Sequence, residues 1–229
     1  MTTTRMDGRK PNELRPIEIK AGVIPNANGS AMVKMGKTIA VAAVYGPRNL
    51  HPKFKQLYEK ARLNTVYAMI PFSTNERVRP GPSRRSQEIC KVTREALESV
   101  VCLEEYPKTV IDVYINIIQA NAGTRTAGIN AASVALADAG IAMKDLVASA
   151  AAGKIDDEYV LDLAGKEEEE TYCDVPVAYI PGMDKISLLQ MDGKLPPADV
   201  EKVIKTAIEG CKVMYEKQRE ALRERWEKK

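Results

Sequence analysis

The sequence predicts an α+β fold from three observations. Apolar, β-branched runs of strand length recur along the whole chain, helical spacing marks three separate segments, and the order of several strands followed by a helix occurs twice. The repetition points to two pseudo-equivalent β-α halves, about 6–145 and about 146–225, sharing one core in a single domain that spans 1–229. No low-complexity linker separates them.

Residues 17–45 read as strands. Ile17, Ile19, Ala21 and Val23 alternate with other residues, Asn26 to Gly29 form a turn, and Thr38 to Tyr45 is apolar almost throughout, as a doubly covered strand requires. Gly46-Pro47 is expected to end that strand, and Arg48 to Lys60 to form a basic exposed loop. A strand is predicted from Leu63 to Ile70. Pro71 to Arg85 carries three prolines and four arginines, which forbids regular pairing just ahead of a helix predicted over 86–104 from Ile89, Val92, Ala96, Leu97 and Val100. TVIDVYINIIQ (109–119) reads as a β-branched strand, followed by a helix rich in small residues that Gly140 stops. Strands are expected at about 146–153, 159–163, 174–180 and 185–191. The last helix, from Ala198 to about Arg225, carries Val203, Ala207, Cys211 and Met214 on one stripe that should dock on a sheet for at least four turns.

Composition bounds the function. The 229 residues are 45% hydrophobic and 28% charged, which excludes a disordered chain, and 34 Lys+Arg against 31 Asp+Glu leave a formal charge of only +3. A uniformly basic coat is excluded, so any polyanion site must be a local patch. No run approaches 18 apolar residues and the first residues form no apolar leader, so a soluble, cytoplasmic protein without a membrane span is expected. Cys90, Cys102, Cys173 and Cys211 lie far apart without CxxC spacing, which argues for reduced thiols, mostly in the core.

The chemistry concentrates at three places. Gly123-Thr124-Arg125 lies where a buried strand meets a helix; glycine lets the backbone approach a ligand, the first helical N–H groups are unpaired, and the guanidinium suits phosphate oxygens. Thr124 would equally serve as a plain helix cap. Arg84 and Arg85 immediately precede the other helix, and with Arg77 and Arg79 make four arginines within nine residues. Surface arginines are usually just solvated, but positive charge at a helix N-terminus is unfavourable unless an anion offsets it. Together with the basic loop at 48–62, these residues suggest a track for a phosphodiester backbone. Glu167 to Glu170 would ordinarily be a solvated turn. Asp174 differs, because it begins an apolar strand, where a carboxylate at the edge of a core can hold Mg²⁺ or donate a proton. The only histidine is His51, and no GxSxG or Cys-His signature occurs. A nucleophile that arrives from outside, such as inorganic phosphate, needs no such dyad.

The stretches MDGRKPNELRPIEI, ANGSAMVKMGKT, VAAVYGPR, PFSTNERVRPGPSRRSQEI, IIQANAGTRTAGINAAS and LLQMDGKL resemble the RNase PH family, and within it the catalytic RNase PH-type subunit of the archaeal exosome. The likeness runs from about Met6 to Arg225. It implies an RNase PH fold, like the second domain of ribosomal protein S5, and phosphate-dependent 3′-to-5′ trimming of RNA with release of nucleoside diphosphates. It also implies a hexameric ring shared with an inactive sibling subunit and capped by proteins with S1 or KH domains, Mg²⁺ or Mn²⁺ as cofactor, and phosphate as co-substrate. A non-catalytic ring subunit and a homohexameric tRNA-trimming RNase PH are the alternatives. Motif by motif, the resemblance places Gly123, Thr124 and Arg125 on the phosphate loop and Arg84 and Arg85 on an arginine pair that contacts RNA and phosphate. It makes Asp174 the general acid and metal partner, gives a second carboxylate role to Glu168 or Glu169, and sets Arg62 and the basic loop before it at the entry neck of the central channel; Arg79, from the arginine cluster, is a further candidate RNA contact. Members usually read Gln-Ala-Asp ahead of the Gly-Thr-Arg turn, where this chain has Asn121, a residue able to cap a helix as well as aspartate does. The acidic run also has a shorter spacer than is common.

Overall fold

The computed structural model describes Arg5 and residues 7–156, 158–165 and 167–227, without the side chains of Glu169 and Glu170. Strands β1 (Ile17–Ala21), β2 (Gly29–Met35) and β3 (Thr38–Asn49) form an antiparallel meander, as the alternation predicts. β3 does not stop at Gly46-Pro47. It continues to Asn49 through a register irregularity between Tyr45 and Arg48, the kind of position where a proline costs no ladder hydrogen bond. β4 (Arg62–Met69) runs parallel to β5 (Thr109–Gln119), which lies between β3 and β4 in the first five-stranded sheet. Parallel neighbours need a long crossover, and α1 (Arg84–Glu98) supplies it.

That helix starts two residues earlier than the sequence suggests and ends six earlier. Ser83 caps it: its hydroxyl accepts from the Ser86 N–H at 3.0 Å while the Ser86 hydroxyl accepts from the Ser83 N–H at 2.8 Å. Arg84 and Arg85 are therefore its first two residues rather than its approach. At the other end the Ser99 hydroxyl donates to the Ala96 carbonyl, and residues 103–105 form a separate 3₁₀ turn.

α2 (Thr124–Asp138) is buried along nearly its whole length, because Ala127, Gly128, Ala131, Ala132 and Ala135 let both sheets approach it. The second sheet contains β6 (Ala148–Ile155), β7 (Glu158–Leu161) and β8 (Cys173–Ile180). β8 pairs along its other edge with β9 (Lys185–Leu189) and the short β10 (Asp192–Gly193). Between β7 and β8 the acidic run forms α3 (Glu167–Glu170), a single helical turn rather than a solvated one: Glu167 is buried, while Glu168 is exposed. The reason lies upstream, where the buried Arg5 guanidinium donates to both Glu167 carboxylate oxygens at 3.0 and 2.6 Å.

α4 (Pro197–Glu227) packs against β6, β7, β8 and β1, and its buried stripe runs past the predicted four turns to Gln218 and Ala221. Gln218 donates to Asn130 Oδ1 at 2.9 Å and to the Val147 carbonyl at 3.0 Å, and Asn130 exchanges hydrogen bonds with the Ser149 backbone. This polar knot joins α2, β6 and α4 at the centre of the molecule, and within it only the Gln218 Oε1 lacks a hydrogen-bond partner among the described residues. Cys173 and Cys211 are buried, Cys90 and Cys102 half-buried, and all four are free.

Candidate active site

β4 and β5 are parallel, so both run to the same edge of the first sheet, and each is followed by a helix that starts there. This topology brings the N-termini of α1 and α2 together, with unpaired amides and the positive ends of two helix dipoles facing one cleft. β8 and β10 form the opposite wall. The resulting cleft, of about 460 Å³, is lined by Arg84, Arg85, Gly123, Thr124, Arg125 and Asp174, together with Glu88, Thr126, Glu168 and Asp192.

On the helical wall, α2 has Gly123 as its N-cap, in the left-handed conformation (φ 64°, ψ 28°) and without a side-chain cap. Neither Thr124 nor Asn121 caps the helix, so its first amides stay open to the cleft. Asn121 is instead drawn away by its backbone, whose N–H donates to the Thr38 hydroxyl at 3.0 Å and whose carbonyl accepts from Arg15 at 2.6 Å. Arg125 is largely buried. Its Nη2 lies 3.5 Å from Glu88 Oε1, and its Nε has no hydrogen-bond partner among the described residues. Glu88 Oε1 also accepts from Gln190 Nε2 at 3.0 Å, which ties α1 to the segment between β9 and β10.

On the strand wall, Asp174 pairs in register with Asp192 of β10 on one side and Gly153 of β6 on the other. Its Oδ1 is buried without a hydrogen-bond partner among the described residues. Burial is the main cause that pushes the Asp174 carboxyl up to about 6, and the charges of Glu168 and Asp192 push the same way, while Arg125 and Arg85 oppose them. A carboxyl poised near neutrality beside open guanidinium groups can hold a proton for a leaving oxygen.

The donor set also suits a divalent cation. An orphaned carboxylate oxygen next to two further carboxylates matches how Mg²⁺ is usually held, by one or two acids with water and substrate phosphate completing the shell. Among the described residues no group of three or more His, Cys, Asp or Glu is placed to hold a metal ion, so the protein would supply at most two such ligands.

The structure thus brings together Arg84, Arg85, Gly123, Thr124, Arg125, Glu168 and Asp174. The Glu169 side chain lies outside the described residues. Arg62 and Arg79 are placed elsewhere. Arg62 sits opposite Val110 at the far end of β5, roughly 30 Å from the Gly123 turn at about 3.3 Å per strand residue. There it lines a second cleft with Arg48, His51, Lys55 and Asn64. Arg79 is exposed on the irregular segment between β4 and α1. Sequence reasoning missed Glu88 and Asp192. Glu88 stands one helical turn after Arg84, a spacing that puts it on the same face, whereas Asp192 reaches the cleft only through the β8–β10 pairing and leaves no local signal.

The family model described as 3′ exoribonuclease family, domain 1 (RNase_PH) matches residues 13–142, and that for domain 2 (RNase_PH_C) matches residues 145–210. The chain is 53% identical to the exosome complex component Rrp41 of Methanopyrus kandleri over 222 residues, covering 97% of this chain and 93% of that protein. It is 56% identical to the Rrp41 of Pyrococcus furiosus, over 97% of this chain and 89% of the relative. Among solved structures, rice Rrp46 superposes with a TM-score of 0.86 at 25% identity, covering 96% of this chain and all of that one.

Proposed function

The chain belongs to the RNase PH family of 3′ exoribonucleases and has its fold, and from that premise we propose that it is the catalytic subunit of an archaeal exosome, removing nucleotides from RNA 3′ ends with phosphate as the nucleophile. The observation that carries this reading is the single cleft in which two helix N-termini and three arginines face the buried carboxyl of Asp174.

Catalysis is then mostly positioning and charge. The open amides at the start of α2, with Arg125, hold hydrogen phosphate, and Arg84 and Arg85 hold the terminal phosphodiester against it. A phosphate oxygen attacks the phosphorus of the last nucleotide, the bond from phosphorus to the 3′ oxygen of the preceding ribose breaks, and Asp174 gives that oxygen its proton. The proton brought in by hydrogen phosphate restores the acid. The products are a nucleoside diphosphate and an RNA one residue shorter. Asp174 with Glu168 would hold Mg²⁺ or Mn²⁺, which would supply neutralisation of charge building on the transferred phosphoryl group.

Arg62, the basic residues around it and Arg79 lie along the path of the incoming strand, and a hexameric ring with a sibling RNase PH-type subunit and S1- or KH-domain caps would thread the RNA toward the cleft. The reading assigns the protein to the cytoplasm; no helix among the described residues is long and apolar enough to cross a membrane. Incubation with the ring partner, oligoadenylate and Mg²⁺ is expected to yield ADP only when phosphate is present. AMP formed without phosphate would overturn the reading.

A further inference from the structure

The Ala122–Gly123 turn has an unusual backbone. Both residues lie in the left-handed region, at φ 61° and 64°, and Ala122 carries a Cβ that disfavours this. A side-chain residue in that region costs about 1 kcal/mol or more, and persists only when its surroundings over-determine it. Two groups outside the cleft do so here. The Thr38 hydroxyl, at the start of β3 and fully buried, accepts from the Asn121 N–H at 3.0 Å and donates to the Ala122 carbonyl at 2.7 Å, bracketing the turn from both sides. Behind it, Arg15 donates to the Asn121 carbonyl at 2.6 Å, and its Nη2 would lie 2.8 Å from a Cβ on Gly123. Arg15 is itself fixed by a two-pronged pair with buried Asp162, at 2.9 and 2.7 Å.

We propose that Thr38 and Arg15 are positioning residues for the phosphate loop: by holding the carbonyls of Asn121 and Ala122 turned inward, they aim the first amides of α2 at the incoming phosphate. The inference builds on the phosphorolytic reading above and adds to it the groups that set the loop's shape. Asp162 comes from the second sheet's side of the molecule, five residues before Glu167, so this clamp also fixes the phosphate wall relative to the acidic wall. Without the clamp the turn would relax toward ordinary φ values, and the amides would have to be ordered by phosphate itself at the expense of its affinity.

Thr38→Val keeps the shape and β-branching but deletes the hydroxyl, and Thr38→Ser keeps the hydroxyl alone. In the phosphate-dependent trimming assay, Thr38→Val is expected to raise the KM for phosphate about tenfold, with kcat changed less than about threefold and the KM for RNA unmoved. Thr38→Ser should stay close to the native value, and Arg15→Lys, which loses the fork, should shift phosphate KM in the same direction as Thr38→Val. Ser133→Ala, which removes a buried acceptor of the Val147 N–H far from the cleft, controls for general destabilisation. An unchanged phosphate KM in Thr38→Val, or equal shifts in Thr38→Val and Ser133→Ala, would overturn the assignment. Amide hydrogen exchange at Asn121 and Ala127, whose N–H groups are bonded to the Thr38 hydroxyl and the Gly123 carbonyl, needs no turnover: Thr38→Val should exchange faster at both, and unchanged protection overturns the clamp by itself. Absence of phosphate-dependent turnover in the native protein would instead overturn the phosphorolytic reading, with the exchange result still deciding the clamp.

Discussion

Replacing Asp174 by asparagine is expected to stabilise the metal-free protein while abolishing turnover. The native carboxyl ionises near 6 rather than at an ordinary aspartate's 3.8, chiefly because it is buried and secondarily because Glu168 and Asp192 repel its charge. The folded pKa lies above the unfolded one, so the protonated form stabilises the fold. That contribution is fully present below pH 3.8, is lost as pH rises toward 6, and stays lost above it. At about 1.36 kcal/mol per pH unit the native protein loses at most about 3 kcal/mol across this window, with about 2 kcal/mol expected because the side chain reaches the solvent of the cleft.

Asparagine carries no charge to desolvate, so its advantage should be near zero at pH 4, grow between pH 4 and 6, and level off above pH 7. For a chain of this size that plateau corresponds to a rise in Tm of roughly 4–8 °C. Thermal and urea unfolding of both proteins in EDTA, from pH 4 to 8, measure it directly. Mg²⁺ added at pH 8 should stabilise the native protein and leave the variant unmoved, since the cation replaces the missing proton. A pH-independent difference, or an asparagine variant less stable than the native protein at pH 8, would refute both the burial argument and the placing of the acid.

Arg125→Ala should raise the KM for phosphate about 10- to 100-fold, from the loss of a hydrogen bond to a charged group worth about 1.5–3 kcal/mol; phosphate titrations of the trimming rate check this. Arg84→Ala and Arg85→Ala each remove a charge from the positive end of α1, so each should add about 0.3–1 kcal/mol of stability in urea melts. The same variants should weaken RNA binding and lower the slope of log K against log salt by about 0.7 for each RNA phosphate no longer neutralised. Gly29→Ala should cost about 1–3 kcal/mol, because the added Cβ runs into the Ala135 carbonyl and the Ala139 backbone at the end of α2; denaturant unfolding at one pH suffices to see it.

What is legible in the sequence is whatever declares itself locally. β5 matches its predicted span residue for residue because TVIDVYINIIQ is β-branched and bounded by Pro107 and a Gly-containing turn. Arg84, Arg85, Gly123, Arg125 and Asp174 stand out because each breaks a local rule: cations at a helix N-terminus, a glycine where a strand meets a helix, an acid at the head of an apolar strand. The start of α1 escapes such rules because its cap is a Ser83–Ser86 pair rather than the usual serine with a glutamate three residues on. Glu167 escapes them for another reason. A run of four glutamates looks solvated by composition, and it is chiefly the buried Arg5, 162 residues away, with Arg9 beside it, that draws the first of them into the interior. Asp192, Thr38, Arg15 and Asp162 reach the site through strand pairing or long-range hydrogen bonds, which composition and periodicity do not encode.

The arrangement of charges in the cleft gives a reason for keeping so many of them apart. Arg84, Arg85 and Arg125 share one small space with Glu168, Asp174 and Asp192, yet among the described residues no guanidinium of that set forms an ion pair with any of those three carboxylates; the nearest link is the loose Arg125–Glu88 contact at 3.5 Å. The rigid starts of two helices on one wall and a strand pair on the other hold the two signs at a distance that side chains alone would close. Arg125 and Arg85 draw the Asp174 ionisation downward. An anion bound between them, as the proposed mechanism requires, would cancel that pull and add its own negative charge beside the carboxyl, so Asp174 would take up a proton more readily with phosphate bound. On the phosphorolytic proposal, binding the nucleophile would therefore load the acid that the leaving oxygen needs, coupling the two halves of the reaction through charge.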